Sequence, residues 1–146
     1  MAAAGGGGRP GVTARWRLII DEGAAGAWNM AVDEAVFESI EKGNALPTLR
    51  LYAWEPACLS LGQLQPIAEA DLAALSEKGW DVVRRLTGGR AILHKNEITY
   101  SVIGPRNDPR LSGRVLDSYQ RIACGLLSAL EILCGDVSIN REQISN

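Results

Sequence analysis

Residues 81–94 constrain the fold of this chain more than any other stretch. Two apolar, strand-like segments flank a link of three residues: DVVRRL (81–86), TGG (87–89) and RAILH (90–94). Such a short link is typical of a hairpin in which a glycine takes a positive φ. Several other predicted strands also have short connections, which argues against a doubly wound parallel sheet.

Strands and helices are interspersed along the rest of the chain. Further strands are predicted at residues 16–20, 48–54, 57–62, 98–103 and 137–139, and helices at 25–43, 70–79 and 115–135. The segment 48–54 alternates strictly in polarity, which predicts a half-buried strand. We therefore predict a chain that mixes helices and strands, α/β in the broad sense and more specifically α+β, with a mixed sheet and packed helices. The two common nucleotide-binding fingerprints, GxGxxG and GxxxxGK[ST], are absent from this sequence.

The composition is that of an ordinary globular chain. The 146 residues are 47% hydrophobic and carry a net charge of −2, so no nucleic-acid or membrane partner is expected. Three cysteines without a CxxC spacing, together with a single histidine, predict free thiols in a cytoplasmic protein and no structural metal. The low-complexity residues 1–14 predict a disordered leader.

The diglycine segment also carries features of an anion site. Arg84 and Arg85 are adjacent, so in a strand they point to opposite faces, and one buried guanidinium would need an anionic partner. Two consecutive glycines let a ligand approach the backbone closely, while Arg90 and His94 add donors. The segment can be an arginine-bearing turn, the wall of a phosphate or acyl-phosphate pocket, or both.

RRLTGGRAILH (84–94) resembles the RRxTGGRxxxH signature of the biotin/lipoate ligase and acyltransferase family. The similarity extends to AWNMAVDEAVFE (27–38), RLYAWEPACLSLGQLQ (50–65) and ITYSV (98–102). It is strongest toward the amidotransferase-like octanoyltransferases and the lipoate–protein ligases. The resemblance implies a mixed sheet with packed helices, with residues 15–146 forming the N-terminal part of a catalytic domain. It also implies attachment of an octanoyl or lipoyl group to a lysine of a lipoyl carrier domain.

The resemblance assigns a substrate-binding site to eight residues: Gln65, Arg85, Thr87, Gly88, Gly89, Arg90, Ala91 and His94. Arg85 matches the arginine that faces the acyl or phosphate head, and the two glycines match a flexible cover. The backbone from residue 90 to 93 matches the run that lines an adenylate where one is used. His94 is expected to orient its neighbours, and Gln65 to lie at the rim.

The residues that carry the chemistry are expected after Asn146. Family transferases use a cysteine thioester with a nearby lysine, and family ligases use a lysine with ATP and magnesium. Both sets follow the long helix, so no catalytic residue is assigned between Met1 and Asn146. We therefore expect the chain alone to be inactive. It would be either a part of a longer catalytic domain or a subunit that a second polypeptide completes.

Three functions follow from the resemblance. Arg90 stands where many ATP-using ligases have a third glycine, which favours an octanoyltransferase that needs no cofactor. Its partners would be an octanoyl-acyl carrier protein donor and a lipoyl-domain acceptor. The alternatives are an ATP-dependent and magnesium-dependent lipoate ligase and a non-catalytic acyl-binding fragment or subunit.

Overall fold

The computed structural model describes residues 15–137, in two compact units divided between Ile103 and Gly104. The first unit contains β1 (Arg17–Ala24), α1 (Gly26–Glu41), β2 (Thr48–Trp54), β3 (Cys58–Leu61), a 3-10 turn (Ile67–Glu69), α2 (Leu72–Glu77), β4 (Asp81–Arg84), β5 (Ile92–His94) and β6 (Thr99–Ile103). The second contains α3 (Val115–Cys134). The predicted leader and all but the first residue of the strand predicted at 137–139 lie outside the described residues.

The strands of the first unit form two three-stranded sheets, each with parallel and antiparallel pairs. In one sheet, β2 lies between β1, which is parallel to it, and β6, which is antiparallel. In the other, β3 lies between the parallel β4 and the antiparallel β5. This arrangement confirms the prediction of a mixed sheet with helices and excludes a doubly wound parallel sheet for this unit.

The hairpin predicted for residues 81–94 is wrong. β4 and β5 do not pair with each other but with opposite edges of β3, through Leu61 with Arg84 and Ser60 with Ile92. The loop 85–91 therefore crosses the end of β3. The length of the link could not reveal this pairing, because β3, the central strand whose two edges pair with β4 and β5, comes from elsewhere in the sequence. The predicted positive φ is present at Gly89, where φ is +94°.

β1 is longer than predicted. The strand is predicted to end at Ile20, yet its pairing with β2 continues beyond Asp21-Glu22-Gly23 to Ala24 after a register shift between Ile20 and Gly23. A bulge of this kind lets a polar, glycine-containing segment remain within a sheet. The pairing places Asp21 beside the buried face of β2.

The half-buried strand predicted at β2 is confirmed, and its buried face is the polar and aromatic one. Thr48, Arg50, Tyr52 and Trp54 are buried, whereas the intervening leucines are only partly so. The fully buried Arg50 donates to Asp21 Oδ2 at 2.7 Å and to Asp33 Oδ1 at 2.9 Å. Because these carboxylates from β1 and α1 pair the guanidinium, its burial is tolerated.

The start of α1 joins the helix to the β4-β3-β5 sheet. The amide of Gly26 donates to Asp81 Oδ2 at 2.9 Å, at the beginning of β4. A Cβ at Gly26 would lie 2.6 Å from Cys58 Sγ and 2.8 Å from a Val83 methyl. Only glycine fits there, since a side chain would separate the helix from the sheet.

The second unit confirms the predicted long helix. α3 is preceded by Arg114, whose amide donates to Asp117 Oδ2 at 3.0 Å, and it is followed by Gly135, whose φ is +82°. Among the helices between residues 15 and 137, none combines the length and apolarity needed to cross a membrane.

Candidate functional site

Two loops meet at the end of the β4-β3-β5 sheet and contain most of the predicted site. One is the loop 62–65 that follows β3, and the other is the loop 85–91 between β4 and β5. The amide of Gln63 donates to the Thr87 carbonyl at 2.9 Å. A Cβ at Gly62 would overlap the carbonyl oxygen of Gly89, so the two backbones are in direct contact.

The guanidinium of Arg85 holds the loop 85–91. Its Nη1 donates to the Ser60 carbonyl at 2.9 Å, and its Nη2 donates to the carbonyls of Gly88 at 3.0 Å and Arg90 at 2.6 Å. Burial lowers the pKa of the Arg85 guanidinium from its ordinary value. These bonds tie both sides of the diglycine turn to β3, so Arg85 sets the shape of the loop.

Arg84 holds the other loop in the same way. Its Nη1 donates to the carbonyls of Gly62 at 2.7 Å, Gln63 at 3.2 Å and Gln65 at 2.6 Å. Both guanidiniums donate to backbone carbonyls, because β4 ends where two loops turn back. The anionic partner expected for one of the adjacent arginines stays a prediction.

His94 is buried in β5 beneath this arrangement. Its ring stacks on Trp54 with 4.2 Å between centroids. Its Nε2 lies 2.8 Å from Ser60 Oγ, and its Nδ1 lies 2.6 Å from Glu97 Oε1. His94 thus contacts protein groups, and it reaches Arg85 through Ser60. The orienting role expected for this histidine stays a prediction, and these contacts are compatible with it.

Gln65 and Arg90 meet at the outer rim through a shared carboxylate. Gln65 Nε2 donates to Glu69 Oε2 at 2.9 Å, and Arg90 Nη2 lies 3.3 Å from the same oxygen. All residues from 86 to 91, including Thr87 and Ala91, are exposed. The eight predicted site residues are therefore brought to one region of the first unit, where the loop forms an open wall.

A separate cleft of about 370 Å³ has Glu97 in its lining. It is lined by Gly23, Ala53, Trp54, Glu55, Asn96, Glu97 and Ile98. None of these is a predicted site residue, so the cleft adjoins the His94 cluster without including the diglycine loop. Within residues 15–137, no group of three or more His, Cys, Asp or Glu side chains is placed to hold a metal ion.

The cysteines differ sharply in accessibility. Cys58 in β3 is fully buried, and burial raises the pKa of its thiol to about 12. A nucleophilic cysteine needs a thiolate, so Cys58 is unsuited to that role. Cys124 and Cys134 are exposed on α3 in the second unit.

Sequence reasoning missed four residues that shape this site: Ser60, Gly62, Arg84 and Glu97. Ser60 and Gly62 lie within the segment 50–65 that carries the resemblance, and Arg84 begins the signature. A polar residue inside an alternating strand gives no signal of its partner. Only the pairing of β3 with both β4 and β5 brings Ser60 between Arg85 and His94.

Comparisons with known proteins agree with this geometry. The sequence model of the family described as the lipoyl protein ligase A/B catalytic domain matches residues 25–143. Octanoyltransferase LipM of Clostridioides difficile is 45% identical over 119 residues, which are 81% of this chain and 44% of that protein. LipM of Kyrpidia tusciae is 46% identical over 127 residues, covering 86% of this chain and 46% of the relative.

Solved structures with a similar fold are lipoate–protein ligases. A bi-partite lipoate protein ligase from Thermoplasma acidophilum, described with its E2 lipoyl domain, has a TM-score of 0.73 at 25% identity. That match covers 88% of this chain and 49% of the neighbour. Lipoate-protein ligase A bound with ATP has a TM-score of 0.67 at 28% identity, covering 85% of this chain and 52% of that structure.

The chain spans about half the length of the curated relatives it matches. The matched region contains both loops and the buried histidine described above, and the family model covers most of the described residues. This chain belongs to the lipoyl protein ligase A/B catalytic domain family.

Proposed function

We propose that the protein transfers an octanoyl group to a lysine of a lipoyl carrier domain. The observation that carries this proposal is the chain's identity of 40–46% to relatives described as octanoyltransferase LipM, against 25–28% to the solved ligase from Thermoplasma acidophilum and lipoate-protein ligase A. The proposed substrate-binding residues are the eight predicted ones, of which seven lie on the two loops and His94 lies in β5.

The geometry of the loop 85–91 supports an acyl-binding wall. Around Gly88, nothing lies within 4 Å of where a Cβ would be, which leaves open space beside the backbone. Leu64, Leu86 and Ile92 are exposed on the adjoining segments, at 91%, 44% and 47%. An octanoyl chain would cover such apolar surface, and its removal from water favours binding.

The reactive group of this proposal comes from outside the described residues. The Cys58 thiol is buried with a pKa raised to about 12, and Lys78 and Lys95 both lie near the Trp80 ring, at 5.2 and 5.0 Å. The placement of a family cysteine and lysine after Asn146 stays a prediction. The described loops would then position the acyl group while that thiolate attacks the octanoyl thioester of the donor, which forms the enzyme thioester and releases the thiolate of the carrier protein.

An ATP-dependent lipoate ligase is the second possibility, favoured by structural likeness to ligase A bound with ATP. The exposed Arg90, paired with Glu69 at 3.3 Å, supports the transferase, since the family signature of many ligases has glycine there. The transferase needs no cofactor, and the ligase needs ATP and magnesium. The acyl carrier protein donor, the lipoyl-domain acceptor and the cytoplasmic location belong to the same proposal.

The test uses the full-length protein, including any residues that follow Asn146. It is incubated with octanoyl-acyl carrier protein and an apo lipoyl domain in the absence of ATP. Mass spectrometry of the acceptor should show one added octanoyl group. Parallel reactions contain free octanoate or lipoate, with and without ATP and magnesium. A gain only in the presence of ATP supports the ligase, and no gain in any reaction contradicts both enzymes.

Lys42→Ala is the matched control for Arg85→Ala in this assay. Lys42 is exposed and pairs with Glu38 on the surface of α1, 2.7 Å away. We expect transfer by the Lys42 variant to equal wild type and transfer by the Arg85 variant to fall. Equal activity of all three proteins would remove the loop from the proposed site.

A further inference from the structure

A chain of hydrogen bonds connects Glu97 to the guanidinium that holds the diglycine loop. Glu97 Oε1 lies 2.6 Å from His94 Nδ1, and His94 Nε2 lies 2.8 Å from Ser60 Oγ. Ser60 Oγ in turn accepts from Arg85 Nη1 at 3.2 Å. The chain therefore crosses β5 and β3 and ends on the loop 85–91.

Chemistry fixes the direction of the two outer bonds of this chain. Arginine can only donate, so Ser60 accepts from Arg85, and its hydroxyl keeps a proton that it can donate to Nε2 of His94. An ionised carboxylate can only accept, so Nδ1 of His94 donates to Glu97. When Nε2 carries no proton it accepts from Ser60, and both ring nitrogens then have partners.

A second chain ends on the same carboxylate oxygen. Trp54 Nε1 donates to Thr99 Oγ1 at 2.7 Å, and Thr99 Oγ1 donates to Glu97 Oε1 at 2.9 Å. The indole can only donate, so this chain also has one direction. Glu97 is therefore fixed from β6, while the Trp54 ring supports the stacked face of His94.

Ser60, His94 and Glu97 have the connectivity of a nucleophile–base–acid triad, but burial excludes nucleophilic attack in this arrangement. Ser60 is 1% exposed, and its oxygen already accepts from Arg85. An attacking hydroxyl must reach the substrate carbonyl. The three side chains are thus suited to hold a neighbour in place.

We propose that Ser60 and Glu97 are positioning residues for the loop 85–91. Glu97 holds the ring of His94, His94 orients the Ser60 hydroxyl, and Ser60 fixes Arg85, which binds the Gly88 and Arg90 carbonyls. The inference rests on the proposed function only where it takes this loop to be the acyl-site wall. It extends the site to two residues outside the RRxTGGRxxxH signature.

Hydrogen exchange of the intact protein, followed by mass spectrometry, tests the positioning directly. Ser60→Ala removes the hydroxyl but leaves the carbonyl that binds Arg85. We expect exchange of the Gln63 and Arg85 amides, which donate to the Thr87 and Leu61 carbonyls, to rise about fivefold, which corresponds to about 1 kcal/mol for one lost hydrogen bond. Amides of α1 and β2 should keep their wild-type rates, since a loss of global stability would raise those as well.

Glu97→Gln and Glu97→Ala form a second, matched pair at a partly exposed residue. The glutamine keeps an acceptor oxygen for His94 and Thr99, so its loop exchange should stay within about twofold of wild type. The alanine removes the acceptor and should raise loop exchange as Ser60→Ala does. Equal exchange in the two Glu97 variants, or an unchanged loop in Ser60→Ala, would overturn the proposal.

Kinetics of octanoyl transfer separate this inference from the proposed function. If the loop binds the acyl group, Ser60→Ala and Glu97→Ala should raise KM for the octanoyl donor while kcat changes little, and Glu97→Gln should restore KM. Faster loop exchange in a protein whose wild type transfers no octanoyl group would support the positioning and reject the function. A uniform fall in kcat without a KM change would contradict positioning of the binding wall.

Discussion

Gly62→Ala tests whether the two loops of the site are built against each other. A Cβ at this position would overlap the carbonyl oxygen of Gly89 and lie 2.8 Å from its carbonyl carbon. Both atoms belong to the backbone, so no side chain can rotate away. The loops 62–65 and 85–91 must separate, and the hydrogen bond from Gln63 to Thr87, now 2.9 Å, must break.

The expected loss of stability combines two terms. The broken hydrogen bond contributes about 1 kcal/mol, and inserting a methyl group into a filled contact costs about 1–3 kcal/mol. We therefore expect the free energy of unfolding to fall by about 2–4 kcal/mol in Gly62→Ala. The measurement is urea denaturation followed by circular dichroism, with equal m-values required for the comparison.

Gly88→Ala is the matched control for Gly62→Ala. Nothing lies within 4 Å of a Cβ at Gly88, and this glycine is not among those with a positive φ. Its unfolding free energy should stay within about 0.5 kcal/mol of wild type. If Gly62→Ala proved as stable as Gly88→Ala, the close contact between the loops would be refuted.

Three further predictions concern the same unit. Gly89→Val should lower the unfolding free energy by about 1–3 kcal/mol, since φ is +94° and a β-branched residue is strained there; equal urea midpoints would contradict this. Arg85→Ala should impair octanoyl transfer, measured per folded molecule, more strongly than folding, measured by Tm, because the carbonyls of the loop lose their donor. A steep fall in Tm with normal specific activity would refute this prediction. With its pKa raised to about 12, Cys58 should resist iodoacetamide at pH 8 until the protein unfolds, whereas the exposed Cys124 and Cys134 should react.

The strands and helices could be predicted because their signals are local and periodic. The apolar spacing of α3 and the alternation of β2 extend over many residues, and each element is present. The end of β1 could not be predicted in the same way. Asp21-Glu22-Gly23 has the composition of a turn, but pairing with β2 continues through it across a bulge.

The buried face of β2 depends on residues far from it in the sequence. Hydropathy alone favours burial of Leu49 and Leu51, yet Arg50 is the residue that is fully buried. Its burial requires Asp21 and Asp33, which lie 29 and 17 residues away. No pattern within the strand specifies those partners, because the α1 packing that supplies Asp33 forms only in the folded chain.

Seven of the eight predicted site residues could be placed on one segment by resemblance, but the bonds that organise them could not. Two adjacent arginines in a strand indicate that one guanidinium needs a partner. That requirement can be met by an anion or by carbonyl oxygens, and the sequence does not distinguish them. In the structure the carbonyls come from the turns that follow β3 and β4, so the partners depend on tertiary pairing.

The glycines show where local reasoning stops. Gly89 could be identified as conformationally special because a short turn requires a positive φ, which is a property of the residue itself. Gly62 is required for a different reason, since the backbone of Gly89, 27 residues later in the sequence, occupies the space that a Cβ at Gly62 would need. A requirement of that kind belongs to a pair of segments. It is met only when β4 and β5 take opposite edges of β3, and that pairing is also what places Ser60 between Arg85 and His94.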